Sequence, residues 1–401
     1  MRALYLGYVL DKKRCIENEG TSIAGNKMQM SILNGLKREF HDALDVVTIS
    51  PILEFPRAKK IFMNYQRDYV SNEIRTTFIP FINIQFVKQI TQVINTVIYA
   101  LYWGLKNRNS GDRIVYCYNY HPNVAIPAII LKSLFKCKII CIFADPVIDF
   151  ECRTGLFEKL FNAMVRISEI TIKKFDGIVA VNKNAIEKYA QGIPYIIVEG
   201  GVDQTEQINQ KEYKSGIGKQ KKVILYSGAL YEYNGIKLLI DCMKLLDEKL
   251  IALDIYGDGP LKDYVISAAE HDPRIAYKGL VPNEMVMKAQ QEADILINPR
   301  PISDRINLYT FPSKLLEYMA SGTPVITTRL NGITDDYLPH LFIAENDSPE
   351  CLAATIKYVF SIEPTQLQKI GVEAMRFIIA NKNWHLQSKR IHEFSMSITQ
   401  Q

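Results

Sequence analysis

Metal-ligand spacing is missing from this chain. Its cysteines (Cys15, Cys117, Cys137, Cys141, Cys152, Cys242 and Cys351) form no C-x2-C pair, and its histidines (His41, His121, His271, His340, His385 and His392) show no ligand spacing. A zinc site is therefore not expected. The scattered thiols read as small apolar residues in a reducing compartment, which makes a cytoplasmic setting the expectation. No long apolar run is present either. The most apolar region is 78–105, and its longest stretch without a strongly polar residue is 96–105, about half of the ~20 residues a spanning helix needs. Region 78–105 reads as a buried or half-buried helix of an α/β domain. The alternative is a helix face resting on a membrane surface, with Lys106 and Arg108 at its polar end.

A leader peptide is also not apparent, since Met1 runs straight into RALYLG, which reads as a strand. Neither sign of charge dominates: 48 Lys and Arg against 43 Asp and Glu leave +5. That excess does not demand nucleic acid, and it is compatible with an anionic small ligand or a peripheral membrane contact. Apolar residues at 48% and charged residues at 23% exclude a disordered chain, a collagen and a small disulfide-stapled domain. No internal repeat of about 20–50 residues stands out.

The 401 residues suggest two domains. Short β-rich runs alternate with helical patterns throughout. In the first half these are 2–7, 45–49, 113–118, 138–143 and 177–181; in the second, 222–228, 252–257, 274–279, 294–298 and 324–328. Continuous apolar strands between helices predict parallel sheets covered on both faces. The polar, glycine-bearing stretch 199–222 reads as a linker. The expectation is an α/β fold of two facing Rossmann-like domains, 1–200 and 201–379. In such sheets ligands bind at the carboxyl ends of the strands, which puts the site in the cleft between the domains.

Several strand ends in the second half suit a nucleotide. Residues 254–260 read DIYGDGP, with glycines on both sides of Asp258. They either let backbone approach a ligand or form an ordinary strand-to-helix turn. Residues 274–281 read RIAYKGLV, so backbone near Gly279, Leu280 and Val281 can read a flat base edge. In 298–326 Pro312 suits a first helical turn, Ser313 is placed to cap it, and KLLEYMA then runs to Ser321 and Gly322. The start of that helix offers free N–H groups to a diphosphate. Lys314 in its first turn opposes the dipole unless it serves an anion. Glu317, one turn on, suits ribose hydroxyls or is a solvated helix residue.

The order GDGP, then KGLV, then PSKLLEYMASGTPV resembles the second domain of nucleotide-sugar glycosyltransferases of the GT-B fold, and within them the large retaining class called family four. The resemblance is strong over about 222–330. It is weak over 1–200, where the opening strand, the 20–36 stretch and DGIVAVNKNAIEKY at 176–189 carry it. It implies a donor site that includes Gly228, Asp258, Gly279, Leu280, Val281, Tyr309, Thr310, Phe311, Ser313, Leu315 and Glu317. Two departures stand out. The family carries two glutamates, the second matching Glu317, and the first would fall at Tyr309. The family also places an arginine and a lysine after the first strand of this domain, where this chain has Ala229 and Asn234. A departing diphosphate needs cations. Arg300, after strand 294–298, and Lys314 are the nearest substitutes by sequence; the alternative is that both are surface residues.

The resemblance also assigns the first domain to the acceptor. Gly25 and Asn26 are candidates for a loop that meets the diphosphate, although Asn26 equally suits the cap of a helix starting at Lys27. Asp145, after strand 138–143, matches the position that faces the sugar, or is a turn-forming Asp. His121 is the second candidate there. No D-x-D pair sits at a strand end, and Asp335-Asp336 falls in a loop, so no metal and no cofactor beyond the sugar nucleotide is expected. The last helix, about 380–401, is expected to return to the first domain.

The function implied is transfer of a sugar, with retention, from a UDP- or GDP-sugar to a hydroxyl of a glycan or lipid-linked acceptor. The setting is the cytoplasm or the inner face of the cell membrane, and no nucleic-acid partner is implied. An inactive partner subunit of a glycan-assembly system and a nucleotide-sugar epimerase are the rival readings.

Overall fold

The alternation of apolar strands and helices closes into two parallel sheets, each the centre of its own unit. The computed structural model describes residues 1–18, 20–146, 155–203, 221–246 and 250–400. Most of the linker stretch 199–222, together with Glu19 and Cys152, lies outside them. The units are Met1–Glu199 with Trp384–Gln401, and Gly200–Asn383.

The first unit contains, in chain order, β1 (Arg2–Gly7), α1 (Lys12–Glu17), α2 (Ile23–Phe40), β2 (Leu44–Thr48), β3 (Phe62–Met63), β4 (Gln66–Tyr69), β5 (Arg75–Phe78) and β6 (Phe81–Ile82). These are followed by α3 (Val87–Lys106), β7 (Arg113–Tyr118), α4 (Pro122–Phe135), β8 (Lys138–Phe143), α5 (Leu156–Ile172), β9 (Gly177–Ala180), α6 (Lys183–Tyr189) and β10 (Tyr195–Ile197). Its sheet runs β10-β9-β8-β7-β1-β2-β5-β4. All neighbours are parallel except β4 and β5, which pair antiparallel. That edge departs from the all-parallel expectation for a simple reason: QRDY of β4 is polar and exposed, as suits a strand with one free side.

Region 78–105 is not one helix. Phe78 ends β5, Phe81–Ile82 pairs with β3, and α3 begins only at Val87. Asn83 causes the break: it is fully buried, and its amide donates to Leu53 O at 2.8 Å and Lys60 O at 2.9 Å. These bonds hold the chain out of helical geometry. Among the described residues no helix is long and apolar enough to cross a membrane.

On one face of this sheet α2 packs with the last helix of the chain, α13 (Trp384–Thr399). Ile32, Leu36 and Ile391 meet Tyr5, Tyr116 and Ile140 there. Gly35 makes the approach possible, since a Cβ built on it would lie 2.0 Å from the Ser388 Cβ. Helices α3, α4 and α5 pack side by side on the other face, where right-handed crossovers between parallel strands carry them.

The second unit contains β11 (Lys222–Ser227), α7 (Ile236–Lys244), β12 (Ile251–Tyr256), α8 (Lys262–His271), β13 (Ile275–Gly279), α9 (Asn283–Glu292) and β14 (Ile295–Asn298). Then come α10 (Lys314–Ala320), β15 (Val325–Thr328), β16 (Phe342–Ala344), α11 (Pro349–Ser361) and α12 (Pro364–Asn381). The sheet order is β13-β12-β11-β14-β15-β16, parallel throughout. The order reverses direction at β11 and β14. In open sheets of this kind the carboxyl ends of such a strand pair border a crevice.

Candidate functional site

The residues that converge lie at the carboxyl ends of β11 and β14. The chain leaves β11 through Gly228, whose φ of +145° suits glycine. A Cβ there would meet the Lys314 Nζ at 2.9 Å, so the lysine lies directly over this backbone. Lys314 donates to the Tyr226 hydroxyl at 2.9 Å, and its ammonium sits 4.2 Å from the centre of the same ring. The residue is half-buried. Burial, and then the charge of Arg300, hold its pKa well below the usual lysine range; Glu317 pulls the other way.

Arg300 enters from the loop after β14. Its guanidinium donates to Asn307 Oδ1 at 3.4 Å, and Thr328 Oγ1 donates to its carbonyl at 2.5 Å. Asn307 is buried and donates to Tyr233 O at 2.8 Å and Pro301 O at 2.9 Å, which fixes the loop carrying the arginine. Two cations thus stand near enough to oppose each other's charge, beside a glycine backbone. An anion placed there relieves the repulsion and restores the Lys314 charge.

The surrounding support is rigid. The Tyr318 hydroxyl donates to Ser227 O at 2.9 Å and accepts from Ser227 N at 2.7 Å. Burial pushes that phenol up to about 12, so it stays a donor. Gln290 donates to Ser227 Oγ at 3.0 Å and Thr323 donates to Gln290 O at 2.7 Å. Tyr226, Tyr318 and Asn307 were not singled out from sequence. Tyr226 lies inside a strand and Tyr318 on the apolar side of a helix, where an aromatic reads as core.

The other donor-site candidates fall into groups. Asp258 is exposed and its carboxylate accepts from Gly259 N at 2.8 Å. A Cβ on Gly257 would lie 1.9 Å from Gly228 O, so the GDGP glycines are needed for packing one loop on another. Gly279 has φ of +72° with open space around it, and Leu280 beyond it is 78% exposed, so this strand end is accessible. Val281, Tyr309 and Thr310 are half-buried, and the Thr310 hydroxyl donates to Ile306 O at 3.0 Å. Phe311 is buried against Tyr337, with ring centres 5.6 Å apart. Leu315 is buried and its amide donates to Pro312 O at 2.8 Å, which leaves it a packing role. Ser313 corrects an expectation: it is already in the right-handed helical region and makes no side-chain cap bond. Glu317 is exposed on α10.

The two departure positions are structural here. Asn234 is buried and donates to Ala229 O at 2.8 Å, and the Tyr226 hydroxyl donates to the same carbonyl at 2.9 Å.

In the first unit, Asp145 is exposed after β8, and its amide donates to Asn119 Oδ1 at 3.1 Å. His121 precedes α4; burial holds its imidazole down to about 4, so it is neutral at physiological pH. Gly25 and Asn26 lie inside α2, which starts at Ile23 with Ser22 as its cap. The Ser22 hydroxyl takes the Gly25 amide at 3.1 Å. The expected cap at Asn26 is thereby corrected: its amide accepts from Leu10 N at 2.9 Å and donates to Leu10 O at 3.0 Å. Both ends of that side chain are committed to holding the loop after β1. Among the described residues no three His, Cys, Asp or Glu side chains gather as a metal site.

Residues 221–361 match the family described as "Glycosyl transferases group 1". No curated protein matches the chain in sequence. Solved structures similar over the whole chain include sucrose-phosphate synthase from Thermosynechococcus elongatus (11% identity, 99% of both chains, TM-score 0.71). Another is Anabaena HepE in complex with UDP (14% identity, 99% of this chain and 100% of that one, TM-score 0.68). A third is the lipopolysaccharide outer core galactosyltransferase WaaB in its apo form (16% identity, 99% of both chains, TM-score 0.67). At these identities the likeness speaks for the fold, which is GT-B, built of two Rossmann-like units. The match to group 1 glycosyltransferases lies within the second of them.

Proposed function

We propose that this protein transfers a sugar from a UDP- or GDP-sugar to a hydroxyl of a glycan or lipid-linked acceptor, with retention of configuration and without a metal. The observation that carries this reading is the pair Lys314 and Arg300 beside Gly228, two mutually opposing cations at the carboxyl end of a Rossmann-like sheet. Such a pair suits a diphosphate, whose charge grows as the glycosidic bond breaks. Arg300 takes phosphate oxygens through its fork and Lys314 as a point charge. Glu317 holds the ribose, the backbone at 279–281 meets the base, and Asp145 orients a hydroxyl of the reacting sugar. UDP is the first nucleotide to try, because the similar HepE structure contains it. A lipid-linked acceptor would be met from the cytoplasm, at the inner face of the cell membrane.

The test is binding of UDP, GDP and ADP to wild type, Arg300→Ala and Lys314→Ala. One nucleotide should bind, and each variant should weaken it about tenfold to a hundredfold, as expected for a hydrogen bond to a charged group. Intact binding in both variants would remove the phosphate assignment. A second reading is favoured by Asn234 and Ala229, which stand where the family has cations. In that reading the chain is an inactive partner subunit, and nucleotide would bind without turnover of any sugar donor.

A further inference from the structure

The outward face of α3 is more apolar than its buried one. Facing the core are Gln92, Thr96, Ala100, Trp103 and Gly104. Facing outward are Ile90, Ile94, Ile98, Tyr102 and Leu105, each between 51% and 59% exposed. Their spacing puts them on one stripe about four turns long. Two helices away, α5 repeats the pattern with exposed Leu160, Ile167 and Ile170, and α4 between them exposes Leu134. Isolated exposed apolar residues need no explanation, but a row of five along one helix does.

Along the chain the charge here is one-sided, although Asp42, Asp45 and Glu73 line a cavity with Tyr102 and Lys106 near the end of α3. Residues 75–144 hold eight cations and one acid, Asp112, an excess larger than the +5 of the whole chain. Helices α3 and α4 contain no acid at all. At the carboxyl ends of α4 and α5 a cavity of about 550 Å³ is lined by Lys132, Lys136, Lys138, Lys173 and Lys174. Its one acid, Asp176, is already paired with Lys132 at 2.8 Å. Glu158 and Glu169 on α5 are the acids nearest in sequence to its apolar row.

We propose that the α3–α4–α5 face of the first unit docks on an anionic lipid bilayer, with the α3 stripe in the interfacial region and the lysine-lined cavity on lipid phosphates. This deepens the reading of a membrane-presented acceptor and names the surface that meets it. A helix with an apolar face and flanking lysines binds in the interface plane through buried area plus attraction to anionic headgroups. No α3 residue needs to cross the bilayer, and the helix does not have the length and apolarity to do so. A second copy of the chain fits less well: in a two-fold pairing the same surface meets itself, which would set lysine against lysine.

The experiment is co-sedimentation of the full chain with vesicles of phosphatidylcholine alone, or with about one third phosphatidylglycerol. Strong binding is expected only to the anionic vesicles, and it should weaken in high salt. Ile94→Gln with Ile98→Gln keeps good helix formers at exposed positions and should weaken binding about tenfold or more. Lys173→Glu with Lys174→Glu should weaken it by more than about twentyfold, since each basic residue near such a surface contributes about fivefold. Equal binding to both vesicle types, or undiminished binding by both double variants, overturns the proposal. So does the finding that wild type ignores vesicles but forms a dimer that the isoleucine variant loses, which assigns the face to a second copy. UDP binding measured on the same preparations separates this result from the donor reading, because the substituted residues belong to the other unit.

Discussion

Lys314→Met is the substitution that most directly separates the stability of the second unit from its binding chemistry. Lysine at this position is desolvated and faces Arg300, and both effects disfavour its charged form. Its folded-state pKa lies below the unfolded value, so the unfolded chain binds more protons in the interval between them. The stability contribution of the group therefore rises with pH across that interval and stops changing above the ordinary lysine range near 10.4. At neutral pH the charge is a cost to the fold. Methionine keeps most of the length, packs on the Tyr226 ring and removes that cost. For a unit of this size each ~1 kcal/mol relieved raises the melting temperature by ~2–4 °C. The diphosphate then loses one charge-assisted contact of about 1.5–3 kcal/mol, which is roughly tenfold to a hundredfold in Kd.

The assay is a thermal melt of the ligand-free protein at several pH values, paired with calorimetric titration of UDP in buffers of different ionisation enthalpy. Wild type should take up a fraction of a proton on binding, because the diphosphate raises the Lys314 pKa. The Met variant should melt higher, bind more weakly and lose that uptake. A Met variant that melts lower while binding UDP as tightly as wild type would refute the reasoning, because Lys314 would then be a packing residue.

Gly35→Ala should destabilise the first unit by about 1–3 kcal/mol, since the new methyl meets Ser388 and the packed helices must part; a denaturant melt reads it, and Ser388→Gly should restore part of the loss. His121, held down to about 4 from 6.5, binds protons more readily in the unfolded chain, so wild type loses stability as pH falls through that range. His121→Asn should flatten this acid limb of the melt, and the group should give no inflection in activity between pH 6 and 8. Asn26→Ala removes two bonds to the Leu10 backbone and leaves that pair unsatisfied; the cost should be about 1–3 kcal/mol, read as a lower melting temperature.

Strands were the most legible elements, because a parallel sheet covered on both faces writes itself as unbroken apolar runs. The short edges were not legible. QRDY in β4 is polar and exposed, and Tyr195–Ile197 and Phe342–Ala344 are too brief to carry a period. Helix caps are less legible than helix bounds: α10 spans KLLEYMA, as its sequence predicts. Asn26 looks like a cap from its neighbours, yet its partner is Leu10, on a loop that returns only after β1 is placed. Ser313 does stand at the cap position before α10, yet its backbone is already helical and its side chain makes no cap bond.

The phosphate cradle shows the same division between what is local and what is not. The absence of cations at Ala229 and Asn234 is visible in sequence, and so are Arg300 and Lys314 as charged residues near strand and helix ends. What is not visible is that Asn234 closes the turn on Ala229 O while Lys314 comes back across the sheet to lie over Gly228. A lysine at 234 would have to give up that buried amide clamp. A lysine at 314 reaches the same backbone from α10 with its ammonium braced on Tyr226. The strand order decides this: β14 lies beside β11, so the loop and helix that follow it bring their charges to the end of the strand that lacks its own.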